Sequence, residues 1–262
     1  MLRRSLPFAL VALVALAGCD TNDSGDADAP AVLTPAAFTF DRSFPEDDNA
    51  HIGQNFVEGA ARVFFVSAAV GVHLVIPAAA TDAATQVEPR VEHGTWIWEN
   101  TVDHNGNDIT FRLEGTPEGT QVDWRMLISA DAPIDGQHYD DFVLYTARTS
   151  LNGRTGEWHL FYKINGTSTN VLDADFEVRG ENNGEITFSV PETNPDPGAR
   201  GASIEYGALG SARSFLWTEQ EPSHTHLVEW DEQTHAGAIT AWNYNGGVRA
   251  CWDSSLNDVA CR

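Results

Sequence analysis

The sequence predicts a mainly β protein: an antiparallel meander of about a dozen strands that forms an open or closed barrel, with one N-terminal helix packed on its concave side. Three observations support this fold class. From Thr95 onward, apolar and polar residues alternate in short segments. Turn residues separate these segments roughly every eight to twelve positions, and no helical period interrupts them. Closing or strongly curving such a meander removes exposed sheet edges.

The predicted strands follow one another through turns rich in glycine and asparagine. Asn165-Gly166 is the strongest hairpin signal, because both residues tolerate the positive φ angles of a tight turn. Strands with a clear apolar face are predicted around residues 109–113, 122–128, 142–149, 158–164, 172–178 and 186–190, and five weaker strands follow to about Trp252. These faces should line the concave side of the sheet.

A helix is predicted over about residues 49–76. The acidic run 46–49 offers capping groups and favourable charge for a helix N-terminus. Polar residues recur every three or four positions over 51–62 and form one stripe, and the polar stripe ends at Arg62. Pro77 should end the helix, since proline has no backbone N–H.

The second half of this helix is predicted to be covered by apolar surface from the sheet. Residues 63–80 carry no charge, so we expect Phe65 to be buried and a charge placed there to unfold the domain. Two other interpretations remain open for the same residues. The uncharged stretch is long enough for a membrane span, and its many Val, Phe and Ile residues are compatible with a pair of strands.

The N-terminus carries the most specific motif in the chain. Two arginines precede an apolar stretch at 6–16, which is followed by Leu16-Ala17-Gly18-Cys19. This arrangement resembles the signal peptide and lipobox of bacterial lipoproteins. The resemblance implies that residues 1–18 are removed, that Cys19 receives fatty-acyl chains such as palmitate, and that the protein is lipid-anchored at the cell envelope. An ordinary secretory signal with a chance cysteine is the alternative.

Composition divides the mature chain into two parts. Residues 19–38 are acidic and lack a basic side chain, so they are predicted to form a disordered tether. Residues 39–262 are predicted to form a single β-rich domain that includes the helix. The tether leaves open which membrane and which face hold the protein, and composition leaves the oligomeric state open.

Two cysteines remain once Cys19 is assigned to the anchor. Cys251 and Cys261 are an even pair in a compartment where disulfides persist, so we predict that they form a disulfide. A reduced pair is the alternative, and their spacing is not that of a CxxC metal or redox motif.

The charge of the chain restricts its partners. The formal net charge is −23, with 38 acidic residues against 15 basic ones. Nucleic acids and anionic membrane surfaces attract clusters of Lys and Arg, which this chain lacks. We therefore predict that the membrane partner is reached through the lipid on Cys19 and that nucleic acid is not a partner.

Residues that could carry chemistry are few. The chain has no GxSxG, SxxK or HExxH motif and no phosphate-binding glycine loop, so no catalytic residue and no cofactor are predicted. His224 and His226 could share a strand face and bind one metal ion, but a packed or solvated histidine pair is the favoured interpretation. No metal site is predicted, although the sequence alone cannot decide this for the pair.

The overall plan resembles the periplasmic half-barrel carriers of lipid-modified proteins and glycolipids. The resemblance is one of architecture and covers no motif in the mature domain, and fold alone does not fix function. It implies a non-catalytic binding or carrier module for a hydrophobic or glycolipid-like ligand. The alternative is a structural or adhesive envelope lipoprotein with a filled core and no ligand.

Overall fold

The computed structural model describes residues 29–32, 52–134, 136–180 and 182–261. The predicted signal peptide, the lipobox and Cys19 lie outside the described residues. Besides a three-residue 3-10 helix at Asn245–Gly247, the described elements are one α-helix and fourteen strands. They are α1 (Gln54–Ala84), β1 (Arg90–Glu92), β2 (Thr95–His104), β3 (Asn107–Glu118), β4 (Gln121–Ala130), β5 (Phe142–Ser150), β6 (Thr155–Ile164), β7 (Thr167–Gly180), β8 (Asn183–Ser189), β9 (Ser203–Leu209), β10 (Ala212–Thr218), β11 (Thr225–Asp231), β12 (Gly237–Ala241), β13 (Ala250–Trp252) and β14 (Asp258–Val259).

All fourteen strands belong to one antiparallel sheet in which each strand pairs with its neighbours in sequence. Within the described residues β1 and β14 are not paired with each other, so the sheet is an open barrel. Both edge strands are short and exposed, which limits edge-to-edge pairing with other chains. The predicted fold class is confirmed.

Tight turns and bulges set the register and curvature of the sheet. In the β6–β7 hairpin, Asn165 has φ 50° and Gly166 has φ 81°, the left-handed pair that a two-residue hairpin turn requires. The register shifts between Met126 and Leu127 where β4 meets β5, and again after Leu160 where β6 meets β7. Such bulges increase the local twist and help the sheet to curve.

Helix α1 begins at Gln54, not near residue 49, because its cap comes from the other end of the chain. Ile52 and Gly53 are non-helical. The Asp258 carboxylate accepts the backbone N–H groups of Gln54 at 3.2 Å and of Asn55 at 2.9 Å. A carboxylate at this end also complements the positive end of the helix dipole. The predicted local cap at 46–49 lies outside the described residues.

Pro77 does not end α1, which continues to Ala84. Proline removes one backbone hydrogen bond, but contacts with the sheet hold the last two turns. Ala80, Thr81 and Ala84 have no exposed surface. The Thr81 hydroxyl donates to the Pro77 carbonyl and lies 2.8 Å from the Tyr145 hydroxyl. Tertiary packing therefore outweighs the local penalty.

One face of α1 packs across both ends of the curved sheet. Its first half packs on the side of β11–β14, where Phe56, Val63 and Val66 join a cluster around Trp252. Its second half packs near β2–β4, where it joins a larger, tryptophan-rich cluster. The members of this larger cluster include Val70, Leu74, Trp98, Leu113, Trp124, Tyr145, Trp158, Leu160, Phe176 and Phe188. The helix thus lies on the concave side, as predicted.

The opposite face of α1 is not covered by the described residues. Phe64 is 76% exposed and Phe65 is 65% exposed. The expectation that Phe65 is buried is therefore wrong. A sheet curved toward one side of the helix reaches one stripe of residues, and the uncharged composition of 63–80 does not reveal which residues that stripe contains.

The two ends of the domain are attached to the sheet. Val32, which lies within the predicted tether, packs against the tryptophan-rich cluster, so the contacts of the domain begin before residue 39. At the other end a disulfide joins Cys251 of β13 to Cys261. Cys251 pairs with Val259 across the last two strands, so the bridge fastens the C-terminal segment to the sheet.

Candidate functional site

A group of polar and aromatic side chains lies where the first half of α1 meets β10–β12. We call this group the rim cluster. It consists of Arg62, Trp217, Glu219, His224, His226 and Trp242. Arg62 comes from the helix, Trp217 from β10 and His226 from β11, and the others lie in the connections. The cluster therefore joins the helix to the sheet.

His226 is buried, and its hydrogen bonds define which ring nitrogen donates and which accepts. Its side chain is 2% exposed. Nδ1 lies 3.1 Å from Nε of Arg62, which always carries a hydrogen, so Nδ1 is the acceptor. The proton of a neutral ring then sits on Nε2 and is donated to the Glu219 carboxylate at 2.8 Å. The Trp242 indole N–H, also near Nε2, donates to Glu219 at 3.1 Å instead.

Glu219 is the acceptor at the centre of the rim cluster. Burial raises the pKa of its carboxyl group, but the hydrogen bonds from His226 and Trp242 outweigh burial and hold the pKa below its usual value. His224 Nδ1 lies 3.5 Å from the second carboxylate oxygen. Glu219 is therefore ionised at neutral pH and satisfies three neighbouring side chains.

Two histidine–tryptophan stacks flank this carboxylate. The rings of His224 and Trp242 are 3.7 Å apart and nearly parallel, and those of His226 and Trp217 are 4.4 Å apart. Trp242 still exposes 44% of its surface. On the other side, Phe65 lies 6.3 Å from Trp217. Exposed aromatic surface thus adjoins an ionised acceptor.

The uncovered face of α1 continues from the rim cluster as an exposed apolar strip, which we call the ridge. Its members are Val57, Phe64, Phe65, Val72, Val75 and Ile76, all between 49% and 76% exposed. The helix carries no charge between Arg62 and Asp82. At 1.5 Å per residue the ridge is about 30 Å long. Among the described residues, α1 is the one helix long and apolar enough to cross a membrane.

The structure brings the predicted histidines together but adds no third ligand. Both His224 and His226 contact Glu219, yet the described residues contain no group of three or more His, Cys, Asp or Glu side chains placed to hold a metal ion. Sequence reasoning missed Arg62 and Glu219 as members of the cluster. No local signal reveals them, because Arg62 and His226 are 164 residues apart.

A groove elsewhere on the sheet is a weaker candidate. It lies along β8–β12, encloses about 510 Å³, and includes Arg179, Arg213 and Arg249. Each of these arginines is paired with a neighbouring glutamate. Their charges are therefore neutralised locally, and the groove does not present a free cationic site for an anion.

No protein-family model matches the chain, and no curated protein or solved structure matches it either. The rim cluster offers an exposed aromatic face and an ionised acceptor, and the ridge offers an uncharged apolar strip. Aromatic faces and an ionised carboxylate suit the ring and hydroxyl groups of a sugar, and an uncharged strip suits an alkyl chain.

Proposed function

We propose that this protein is a lipid-anchored protein of the cell envelope that binds a hydrophobic, glycolipid-like ligand and does not catalyse a reaction. The observation that carries the proposal is the contact between the rim cluster and the ridge. The two surfaces meet at Phe65 and Trp217, so one ligand with a polar head and an apolar tail can occupy both.

In this arrangement the head group binds at the rim. Sugar hydroxyls donate to Glu219, and the apolar face of the sugar ring stacks on the exposed surface of Trp242. The tail lies over Phe65, next to the rim cluster, where it removes apolar surface from water. The fixed tautomer of His226 holds Glu219 in place and supplies no proton-transfer step of its own.

The lipobox supports the cellular part of the proposal. Acylation of Cys19 would hold the protein at the membrane from which an amphiphilic ligand comes. Replacing Cys19→Ala should move the protein from the detergent phase to the soluble fraction. Envelope-extracted protein without acyl chains on Cys19 would contradict the anchor.

An alkyl glycoside tests ligand binding directly. We expect n-octyl β-D-glucoside, used below its critical micelle concentration, to bind saturably and to change the tryptophan fluorescence. Glucose alone and n-octanol alone should bind more weakly, since each supplies half of the ligand. Trp242→Ala and Phe65→Ser should each weaken binding by about tenfold, which corresponds to about 1.4 kcal/mol.

Leu209→Ser is the matched control, because Leu209 is 74% exposed at the end of β9, away from the rim cluster. It should bind the glycoside as the unmodified protein does. Equal loss of affinity in the Phe65 and Leu209 variants would show non-specific adsorption to exposed apolar groups and would contradict the proposal.

A structural or adhesive role is the second candidate, and the filled interior favours it. Leu160, Phe188 and Phe215 are at most 1% exposed beneath the helix, so side chains already occupy the concave side. A folded protein that binds neither the glycoside nor its separate halves would support this role over ligand binding.

A further inference from the structure

We infer that the ridge docks onto a zwitterionic lipid bilayer, with α1 lying along the membrane surface instead of crossing it. The inference rests on the lipid anchor of the proposed function and adds a second, non-covalent contact. The ridge lies at the boundary between the lipid head groups and the hydrocarbon, because this environment suits a helix with one apolar face.

The exposed residues of α1 favour an apolar occupant. Phe64, Val72 and Val75 are each more than 60% exposed, and no charged residue lies between Arg62 and Asp82. A continuous strip of this kind is uncommon on a protein that meets only water, and it marks a surface that contacts a membrane or another molecule. Its length of about 30 Å suits a flat contact along the whole helix.

The opposite face of the same helix excludes a transmembrane position in this fold. Val63, Val66, Val70 and Leu74 are at most 6% exposed and pack against the sheet. Spanning the bilayer would detach these residues and expose the tryptophan-rich cluster. The helix can therefore offer only the ridge to lipid while the domain stays folded.

The position of Val32 favours the bilayer as the occupant. Val32 packs against the tryptophan-rich cluster, which the second half of α1 also joins, so the chain from Cys19 reaches the domain at that cluster. Thirteen residue steps separate Cys19 from Val32. They reach at most about 45 Å when fully extended. An acylated Cys19 would therefore keep Val32, and the cluster it contacts, within about 45 Å of the bilayer.

Charge decides which lipid surface is compatible. The chain carries a formal net charge of −23, which opposes approach to a strongly anionic surface. The ridge itself is neutral, and Arg62 at its start is paired with Glu58. Docking therefore depends on apolar contact and suits zwitterionic lipid, such as phosphatidylcholine.

Fluorescent labels at two exposed positions test the orientation. Val72→Cys places a label on the ridge, and Leu209→Cys places one on the sheet at nearly equal exposure, 70% against 74%. Cys251 and Cys261 are bridged and the sulfur of an acylated Cys19 is blocked, so a thiol-reactive dye labels the introduced cysteine. The full acylated chain is then reconstituted into phosphatidylcholine vesicles, with or without bromine on the acyl chains.

We expect brominated lipid to quench the label at position 72 at least several-fold more than the label at position 209. Equal quenching, or none at 72, overturns docking, including the case in which a second copy or residues 33–51 cover the ridge. Mass spectrometry of the same sample shows whether Cys19 carries acyl chains and so tests the anchor separately. Acylated protein with no quenching at 72 refutes docking alone, whereas quenching at 72 without acylation refutes the anchor alone.

Discussion

Replacing Arg62→Met tests the attachment of α1 to the sheet. The guanidinium donates to His226 Nδ1 at 3.1 Å, to the Glu58 carboxylate at 2.6 Å and to the Asn243 side chain at 2.9 Å. Methionine retains much of the aliphatic stem and removes every one of these donors. The substitution therefore separates hydrogen bonding from packing.

The three lost contacts differ in cost. Glu58 and Asn243 can turn to water, and an i,i+4 ion pair of this kind contributes about 0.3–0.5 kcal/mol. His226 is 2% exposed, so its Nδ1 acceptor stays buried without its donor. An unsatisfied buried acceptor costs about 1–3 kcal/mol. The free energy of unfolding should therefore fall by about 1.3–3.5 kcal/mol.

Urea denaturation followed by tryptophan fluorescence measures this change as a lower midpoint at unchanged slope. Arg90→Met is the matched control, since Arg90 forms its ion pairs in a half-exposed position on β1 and should change the midpoint little. In a His226→Leu background the cost of Arg62→Met should shrink, because the buried acceptor is gone. Equal effects of the two arginine substitutions, or an unchanged cost in that background, would refute the assigned hydrogen bond.

Four further predictions concern stability. Removing the Cys251–Cys261 disulfide should cost about 2–3 kcal/mol, and peptide mapping without reductant should recover the two cysteines as one linked species. The melting temperature should rise from low to molar NaCl, because the screening length falls to about 3 Å and repulsion among the excess acidic groups weakens. A melting temperature that stays flat or falls with salt would reject this electrostatic explanation. Gly71→Ala should stabilise α1 by about 0.5–1 kcal/mol, since nothing lies within 4 Å of the new methyl group. Gly237→Ala should destabilise the domain, since its methyl group would lie 2.3 Å from a buried tryptophan ring. The denaturation midpoints of the two variants check both predictions. Burial lowers the pKa of His73, so the unfolded chain binds a proton more readily than the folded one. The stability that is present above about pH 6.5 should therefore be lost as the pH falls below that value. His73→Phe should flatten this part of the curve of stability against pH.

Local patterns predicted most of the sheet and the disulfide. Alternation and turn residues have a direct physical meaning over a few positions, so the hairpin at Asn165-Gly166 and the main strands appear where expected. Two short strands lack enough residues to show alternation: β1 was not predicted, and β14 begins beyond the predicted end of the strands near Trp252. Cys251 and Cys261 were predicted from compartment and parity alone.

The errors concern features that depend on distant residues. The cap on α1 comes from Asp258, and the turns beyond Pro77 are held by Tyr145 and its neighbours. The exposure of Phe65 depends on how far the sheet curves around the helix. The rim cluster likewise joins Arg62 to a strand at the far end of the chain. A single sequence shows that these residues are polar or apolar but not which of them meet.

The pairing of α1 with the last strands has a consequence for how the chain folds as it is made. Each strand contacts the strand just completed, so the meander can grow hairpin by hairpin behind the ribosome or the export channel. The helix is synthesised first, yet Asp258, which caps it, arrives 204 residues later. Until then the face of α1 that packs on the sheet lacks part of its contacts, so we expect a holding chaperone to bind this helix throughout translation. Nascent chains stopped before β11 should be far more sensitive to protease within α1 than full-length ones.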